Sequence, residues 1–74
     1  MTAAEALTAD PLPLGARLLV EDETSASIEG EGYSVALYLD PVTGGWVAVR
    51  RRLVVSDDAT GRTAAEALAG LVGP

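Results

Sequence analysis

The sequence predicts an α+β domain: a three- or four-stranded antiparallel sheet with a C-terminal helix packed on one face and a short N-terminal helix. The phrase Thr-Ala-Ala-Glu-Ala-Leu occurs at residues 2–7 and again at residues 63–68, and each copy has the pattern of a helix start. Between the copies, residues 33–39 alternate in character as a strand does, and a turn rich in proline and glycine follows them. Because 74 residues support one small core, residues 1–74 are expected to form a single domain.

The N-terminal helix is predicted from a capping box. In both copies of the repeated phrase a threonine stands three residues before a glutamate, so its hydroxyl can cap the third helical amide while the glutamate reaches back. The first helix must stop at the Asp-Pro-Leu-Pro of residues 10–13, because proline cannot continue it. Residues 1–14 are therefore interpreted as a short helix followed by a proline-rich connection.

The sheet is assigned to residues 15–56. Residues 17–21 are predicted as a first strand, residues 27–28 as a weak second strand and residues 33–39 as the clearest strand. Proline and glycines at residues 40–45 are typical of a hairpin turn. Residues 46–55, rich in β-branched side chains, are predicted to return as one antiparallel strand. Residues 57–61 close that strand.

The C-terminal helix is predicted over residues 63–72, with Thr63 as its cap. Ala64, Ala67, Leu68 and Leu71 share one face at helical spacing. That face is expected to cover one side of the sheet.

The composition indicates a protein partner. Eleven acidic residues against five basic ones give a formal charge of −6, which disfavours phosphate backbones and anionic lipid, so a basic protein is the expected partner and nucleic acid is not. The absence of a signal-peptide pattern and of a membrane-length apolar run predicts a cytoplasmic location. Only three aromatic residues occur, and so small a core favours completion of the apolar surface by a homo-dimer or higher oligomer.

The residues that acid–base or nucleophilic catalysis needs are scarce. The sequence contains no histidine, lysine or cysteine, so its serines and threonines lack the usual activating base. The acidic residues 21–23 lack the ligand spacing of a calcium loop and are interpreted as a solvated turn. We therefore predict no enzyme activity, no catalytic residue, no metal site and no cofactor.

Three of the five basic residues are consecutive, at residues 50–52. Strand alternation places Arg50 and Arg52 on one face with Trp46, and the register decides whether Tyr38 joins them. Tryptophan, tyrosine and arginine are enriched in protein hot spots, and the same groups can stack on single-stranded bases. In a third interpretation the arginines pair with nearby acids and cover apolar surface with their stems. The predicted partner-binding residues are Tyr38, Trp46, Arg50 and Arg52.

Three segments carry a family resemblance: the strand that opens Tyr-Ser-Val at residue 33, the turn ending Gly-Gly-Trp at residue 46, and Gly-Arg-Thr-Ala-Ala-Glu-Ala-Leu at residues 61–68. Over residues 33–72 the chain resembles the HicB-like antitoxin domain, a sheet-plus-helix module related to a partial ribonuclease H fold. The resemblance implies a non-catalytic domain that binds a small basic RNA-cleaving toxin.

Three functions are therefore considered. The leading hypothesis is a small non-catalytic protein-interaction domain of the antitoxin type, with a basic protein as partner. The second is a homo-oligomeric structural or phage-assembly accessory protein, and the third is a single-strand nucleic-acid binder.

Overall fold

The computed structural model describes residues 2–9, residue 12 and residues 14–71. Its elements follow in the order α1 (Ala3–Leu7), β1 (Arg17–Asp22), β2 (Ser25–Gly30), β3 (Tyr33–Leu39), β4 (Trp46–Arg52), β5 (Val55–Gly61) and α2 (Ala64–Leu71). The sheet has the order β1-β2-β3-β4-β5, and every neighbouring pair is antiparallel. The α+β class, the helix at each end and the antiparallel sheet are thus confirmed.

The sheet has five strands, so the prediction of three or four was too low. The predicted long strand over residues 46–55 ends at Arg52, turns at Leu53 and Val54, and returns as β5 with Val55 opposite Arg52. Two-residue hairpin turns normally carry glycine, asparagine or aspartate because the backbone needs a positive φ. Here Leu53 adopts that conformation with φ 49°, and its sequence has none of the usual turn signals.

Replacing Leu53 with asparagine is expected to stabilise the protein by about 1 kcal/mol, because a branched side chain is strained in the left-handed region and asparagine tolerates it. The leucine side chain is 91% exposed, so little packing is lost. Urea denaturation measures the change. Val54→Asn is the matched control, since Val54 is also exposed but has no positive φ. If the Leu53→Asn variant is no more stable than the original chain, the turn at Leu53 is not strained.

Both helices lie on the same face of the sheet. Helix α1 begins beside the β1–β2 turn, where the amide of Ala3 donates to the carbonyl of Glu23 at 2.8 Å. Helix α2 follows β5 directly and packs on β4 and β5, while α1 packs on β1 and β2. The core between helices and sheet consists of small and aliphatic side chains: Ala3, Ala6, Leu7, Ala26, Ile28, Leu37, Ala48, Ala64, Ala67 and Leu71. Within the described residues, no helix packs on the opposite face of the sheet.

The repeated phrase caps both helices, but in two ways. At α1 the capping box is complete: the amide of Glu5 donates to the Thr2 hydroxyl at 3.1 Å, and the amide of Thr2 donates to the Glu5 carboxylate at 3.3 Å. At α2 the hydroxyl of Thr63 accepts from Glu66 as expected, but the Glu66 carboxylate accepts from the amide of Arg62 at 2.9 Å. In the second copy the glutamate therefore accepts from the residue before the cap, Arg62, and not from the cap residue Thr63 as predicted.

Some predicted boundaries lie outside the described residues, namely position 72 at the end of α2 and three positions of the proline-rich connection, 10, 11 and 13. Among the helices that are described, none combines the length and apolar character needed to cross a bilayer.

Candidate functional site

The four predicted contact residues lie on two different faces of the sheet. Trp46 pairs with Leu39, and Tyr38 pairs with Val47 one position further along. Because successive side chains of a strand point to opposite faces, Tyr38 is on the bare face and Trp46 is on the helix-covered face. Arg50 and Arg52 share the side of Trp46. The single surface that would combine these side chains, for a protein hot spot or for base stacking, is therefore not formed.

Trp46 packs at the start of the second helix. It is partly buried against the core and borders a shallow depression with Thr63, Ala64 and Ala65. Its large ring covers the junction between the sheet and a helix that begins with small residues. We therefore interpret Trp46 as a residue that packs between β4 and α2.

Arg50 and Arg52 both bind Asp57. The Nη2 atom of Arg50 lies 2.8 Å from Oδ2 of Asp57, directly across the β4–β5 pair, and Nη2 of Arg52 lies 3.4 Å from the same oxygen. The hydrogen bond from Arg50 and the charges of both arginines hold the pKa of the Asp57 carboxyl below its usual range, against an opposing effect of burial. The geometry thus matches the interpretation in which these arginines pair with nearby acids.

The stem of Arg50 also covers apolar surface. Its side chain is only 25% exposed and borders a cleft between the two helices that is lined by Leu7, Leu68 and Leu71. Among the described residues, its buried Nε atom has no hydrogen-bond partner. Arginine stems commonly cover apolar surface in this way while the head group stays at the protein surface.

We call the bare side of the sheet the open face. Alternation from the buried positions Leu37 and Ala48 assigns its residues, and the register arranges them in three rows across the strands. The charged row is Arg17, Glu29, Ser34, Arg51 and Ser56. The central row is Leu19, Ser27, Ala36, Val49 and Asp58. The third row is Asp22, Ser25, Tyr38, Val47 and Thr60, with Asp22 following a bulge in β1.

The middle of the open face is more apolar than a solvated sheet surface. In an antiparallel sheet with one face exposed to solvent, each strand normally alternates between apolar residues on the buried face and polar residues on the exposed face. Here the outward positions of the two strands β3 and β4 include Ala36, Tyr38, Val47 and Val49, with Tyr38 40% exposed. Such a contiguous apolar strip on the surface is typical of an interaction site.

A shallow depression lies in this strip. It is lined by the small side chains Ser27, Ser34 and Ala36 and by the larger side chains Glu29, Tyr38, Val49 and Arg51. The open face therefore offers a partner both a recess and projecting groups.

The charges of the open face are partly unpaired. Arg17 lies 3.6 Å from Glu29, with both side chains well exposed, so this ion pair contributes little to stability. Within the described part of the chain, Arg51 forms no ion pair. Arg51 is thus available to a partner.

One end of the molecule is acidic. The β1–β2 and β3–β4 turns lie at this end, together with the first turns of both helices. Six acidic residues are found there: Glu5, Glu21, Asp22, Glu23, Asp40 and Glu66. Two of them also shape their turns, since Asp22 accepts from the amide of Thr24 and Asp40 from the amide of Val42.

A second exposed apolar segment is the β4–β5 turn, at the opposite end of the strands. Leu53 and Val54 project there almost fully into solvent. They occupy a narrow hairpin tip, whereas the open face extends over the middle of the sheet.

Sequence reasoning missed Val47, Val49 and Ala36 as surface residues of interest. Their signal was present, because β3 and β4 carry apolar side chains on both faces, as strands covered on both sides do.

Comparison of the chain with protein-family models, with curated proteins and with solved structures finds no match.

Proposed function

We propose that this chain is a small non-catalytic protein-interaction domain and that the open face is its contact surface. The observation that carries the proposal is the apolar strip of Ala36, Tyr38, Val47 and Val49 on the side of the sheet opposite the helices. Burial of apolar surface is the main favourable term in protein association, and these side chains are already held in place by the sheet. A partner would therefore bind without first ordering the surface.

The shape of the strip supports the same function. Small and large side chains line the depression beside it, and such relief allows close packing against a second surface, as in the core of an interface. Tyr38 is the residue of the predicted contact set that lies on this face, and tyrosine is enriched at hot spots. Trp46, Arg50 and Arg52 support the fold beneath it.

The partner expected from the sequence is basic, and the acidic end favours this chemistry. Among the described residues, the basic residue at the acidic end is Arg62, between β5 and α2. An antitoxin-type domain would place this end against a basic protein, whose charge would speed the encounter and select the orientation. This second contact is compatible with the use of the open face.

The open-face proposal is tested with one substitution at two sites. Val49→Asp puts a charge in the apolar strip, and Val42→Asp makes the same change in the exposed β3–β4 turn. Each tagged variant is incubated with nuclease-treated host lysate, its bound proteins are quantified, and the self-association of the purified chain is measured in parallel. We expect Val49→Asp to weaken association at least about tenfold and Val42→Asp to leave it unchanged, since one buried unpaired charge is costly. Equal association of both variants would overturn the proposal.

A further inference from the structure

We propose that the protein seated on the open face is a second copy of this chain, packed face to face about a twofold axis that runs along β3. This inference rests on the proposed function, because it names the partner of the same surface. The resulting dimer would be a two-layer sandwich with the helices on its two outer sides.

Charge complementarity selects the second copy. Glu29 on β2 and Arg51 on β4 both pair with Ser34 on β3, so they stand at the same height on either side of the central strand. A twofold axis along β3 exchanges these two sides. Glu29 of each copy then lies opposite Arg51 of the other, and the interface contains this opposite-charge contact twice. Arg51, unpaired within the described residues of one copy, gains a partner.

The other face-to-face arrangement lacks this match. A twofold axis perpendicular to the strands, in the plane between the two sheets, places each strand over the same strand of the other copy. The two strands then run in opposite directions. The charged row then lies over the row of Asp22, Ser25, Tyr38, Val47 and Thr60, so Glu29 and Arg51 meet no opposite charge. Arg17 would face Asp22, but only at a corner of the sheets. The distribution of charges therefore favours the axis along β3.

The same axis matches large side chains with small ones. In the central row, Val49 on β4 and Ser27 on β2 flank Ala36 symmetrically. Val49 of one copy would thus enter the depression beside Ser27 of the other. Ala36 on the axis is small enough for sheets stacked about 10 Å apart, and the two Tyr38 rings would meet at one end in an offset stack.

The corners of the sheets fit less closely. Leu19 on β1 and Asp58 on β5 exchange places under this axis and would face each other at the rim. Stacked sheets cross at about 30°, which carries their corners apart and leaves these residues in contact with water. They are expected to add little to the association.

The available area is sufficient for a weak dimer. Five strands spaced about 4.8 Å apart and about 23 Å long give an open face of roughly 550 Å² per copy. The upper limit for the interface is therefore roughly 1,100 Å² in total, because the corners stay in contact with water. A specific interface needs about 1,000 Å². An interface near this lower limit is expected to give weak, reversible dimers.

The test is a pair of charge reversals followed by sedimentation equilibrium. Glu29→Arg places two arginine pairs in the dimer and Arg51→Glu places two glutamate pairs there, so each variant alone should dissociate at least about tenfold more readily. When the two variants are mixed, each supplies the charge that the other now needs, and the equimolar heterodimer should regain the affinity of the original chain. Glu31→Arg, which makes the same charge change in the β2–β3 turn, is the control and should dimerise normally.

Three outcomes would overturn the second copy as occupant. The chain could remain monomeric at millimolar concentration, the mixed variants could associate no better than each one alone, or the dimer could be insensitive to both reversals, as pairing through the edge strands would be. The proposed function has its own test in each of these cases. It stands if the Val42→Asp variant captures another protein from the lysate and the Val49→Asp variant does not.

Discussion

Replacing Leu37 with alanine is expected to lower the free energy of unfolding by about 4 kcal/mol. Leu37 lies at the centre of β3, is 0% exposed and is the largest fully buried side chain described. Its neighbours in the sheet are Ala26 and Ala48, which are too small to fill the space that the substitution leaves. The cost therefore combines the lost burial with a cavity that cannot collapse. A domain of this size has roughly 4 to 11 kcal/mol of stability, so the variant should retain roughly 0 to 7 kcal/mol.

Urea denaturation measures this loss, with Val42→Ala as the control. Val42 is exposed in the β3–β4 turn, so its truncation should change the stability by less than about 0.5 kcal/mol. A loss below about 1 kcal/mol for Leu37→Ala would mean that the core is not centred on this residue.

Gly61→Ala should have the next largest effect, a loss of about 2 kcal/mol. Gly61 ends β5 at the point where α2 folds back over the sheet. A Cβ atom at this position would lie 2.6 Å from Cβ of Glu66 and 2.7 Å from the backbone nitrogen of Ala67. Since the helix backbone cannot move aside cheaply, α2 must shift away from its packing site on β4 and β5.

The matched control for this prediction is Gly45→Ala, in the turn before β4. A Cβ atom there meets its nearest neighbour at 3.4 Å, which is ordinary contact, and the residue has no positive φ. Equal stability of the two variants in urea would show that α2 does not pack closely against the end of β5.

The parts of the fold that follow from local patterns were predicted well. The third strand was predicted at residues 33–39 and is observed there as β3, because alternation in a half-buried strand is a direct consequence of its geometry. The helix starts at Thr2 and Thr63 follow from capping, which needs only two side chains at fixed spacing. The fifth strand was missed because the turn at Leu53 takes a conformation that its residue type disfavours.

The site was harder to predict because it depends on strand register. Residue type and alternation within one strand grouped Trp46, Arg50 and Arg52, but the face on which Tyr38 lies depends on which residues pair across strands. Once the register is known, the arginines pair with Asp57 and the tryptophan packs on α2. Val49, on the other hand, has no chemical group that marks it in the sequence.

The two faces of the sheet have different roles, one in stability and the other in the proposed contact with a partner. The helix-covered face contains the core of Leu37 and its neighbours, while the open face presents apolar groups that nothing in the described chain covers. The acidic end adjoins the open face, because Asp22 pairs with Ser25 of that face, and it includes the first turns of both helices. One small domain can therefore offer two adjoining contact surfaces.

The most direct measurement is a methyl NMR spectrum of the labelled chain, recorded in dilute buffer and again in nuclease-treated host lysate with excess unlabelled chain. If the open face is the contact surface, the methyl signals of Ala36, Val47 and Val49 will shift or broaden in the second sample. Those of Val42, Leu53 and Val54 will stay where they were. Perturbation of the Leu53 and Val54 signals, with those of Ala36 and Val49 unchanged, would contradict the open face as contact surface and place the contact at the hairpin tip.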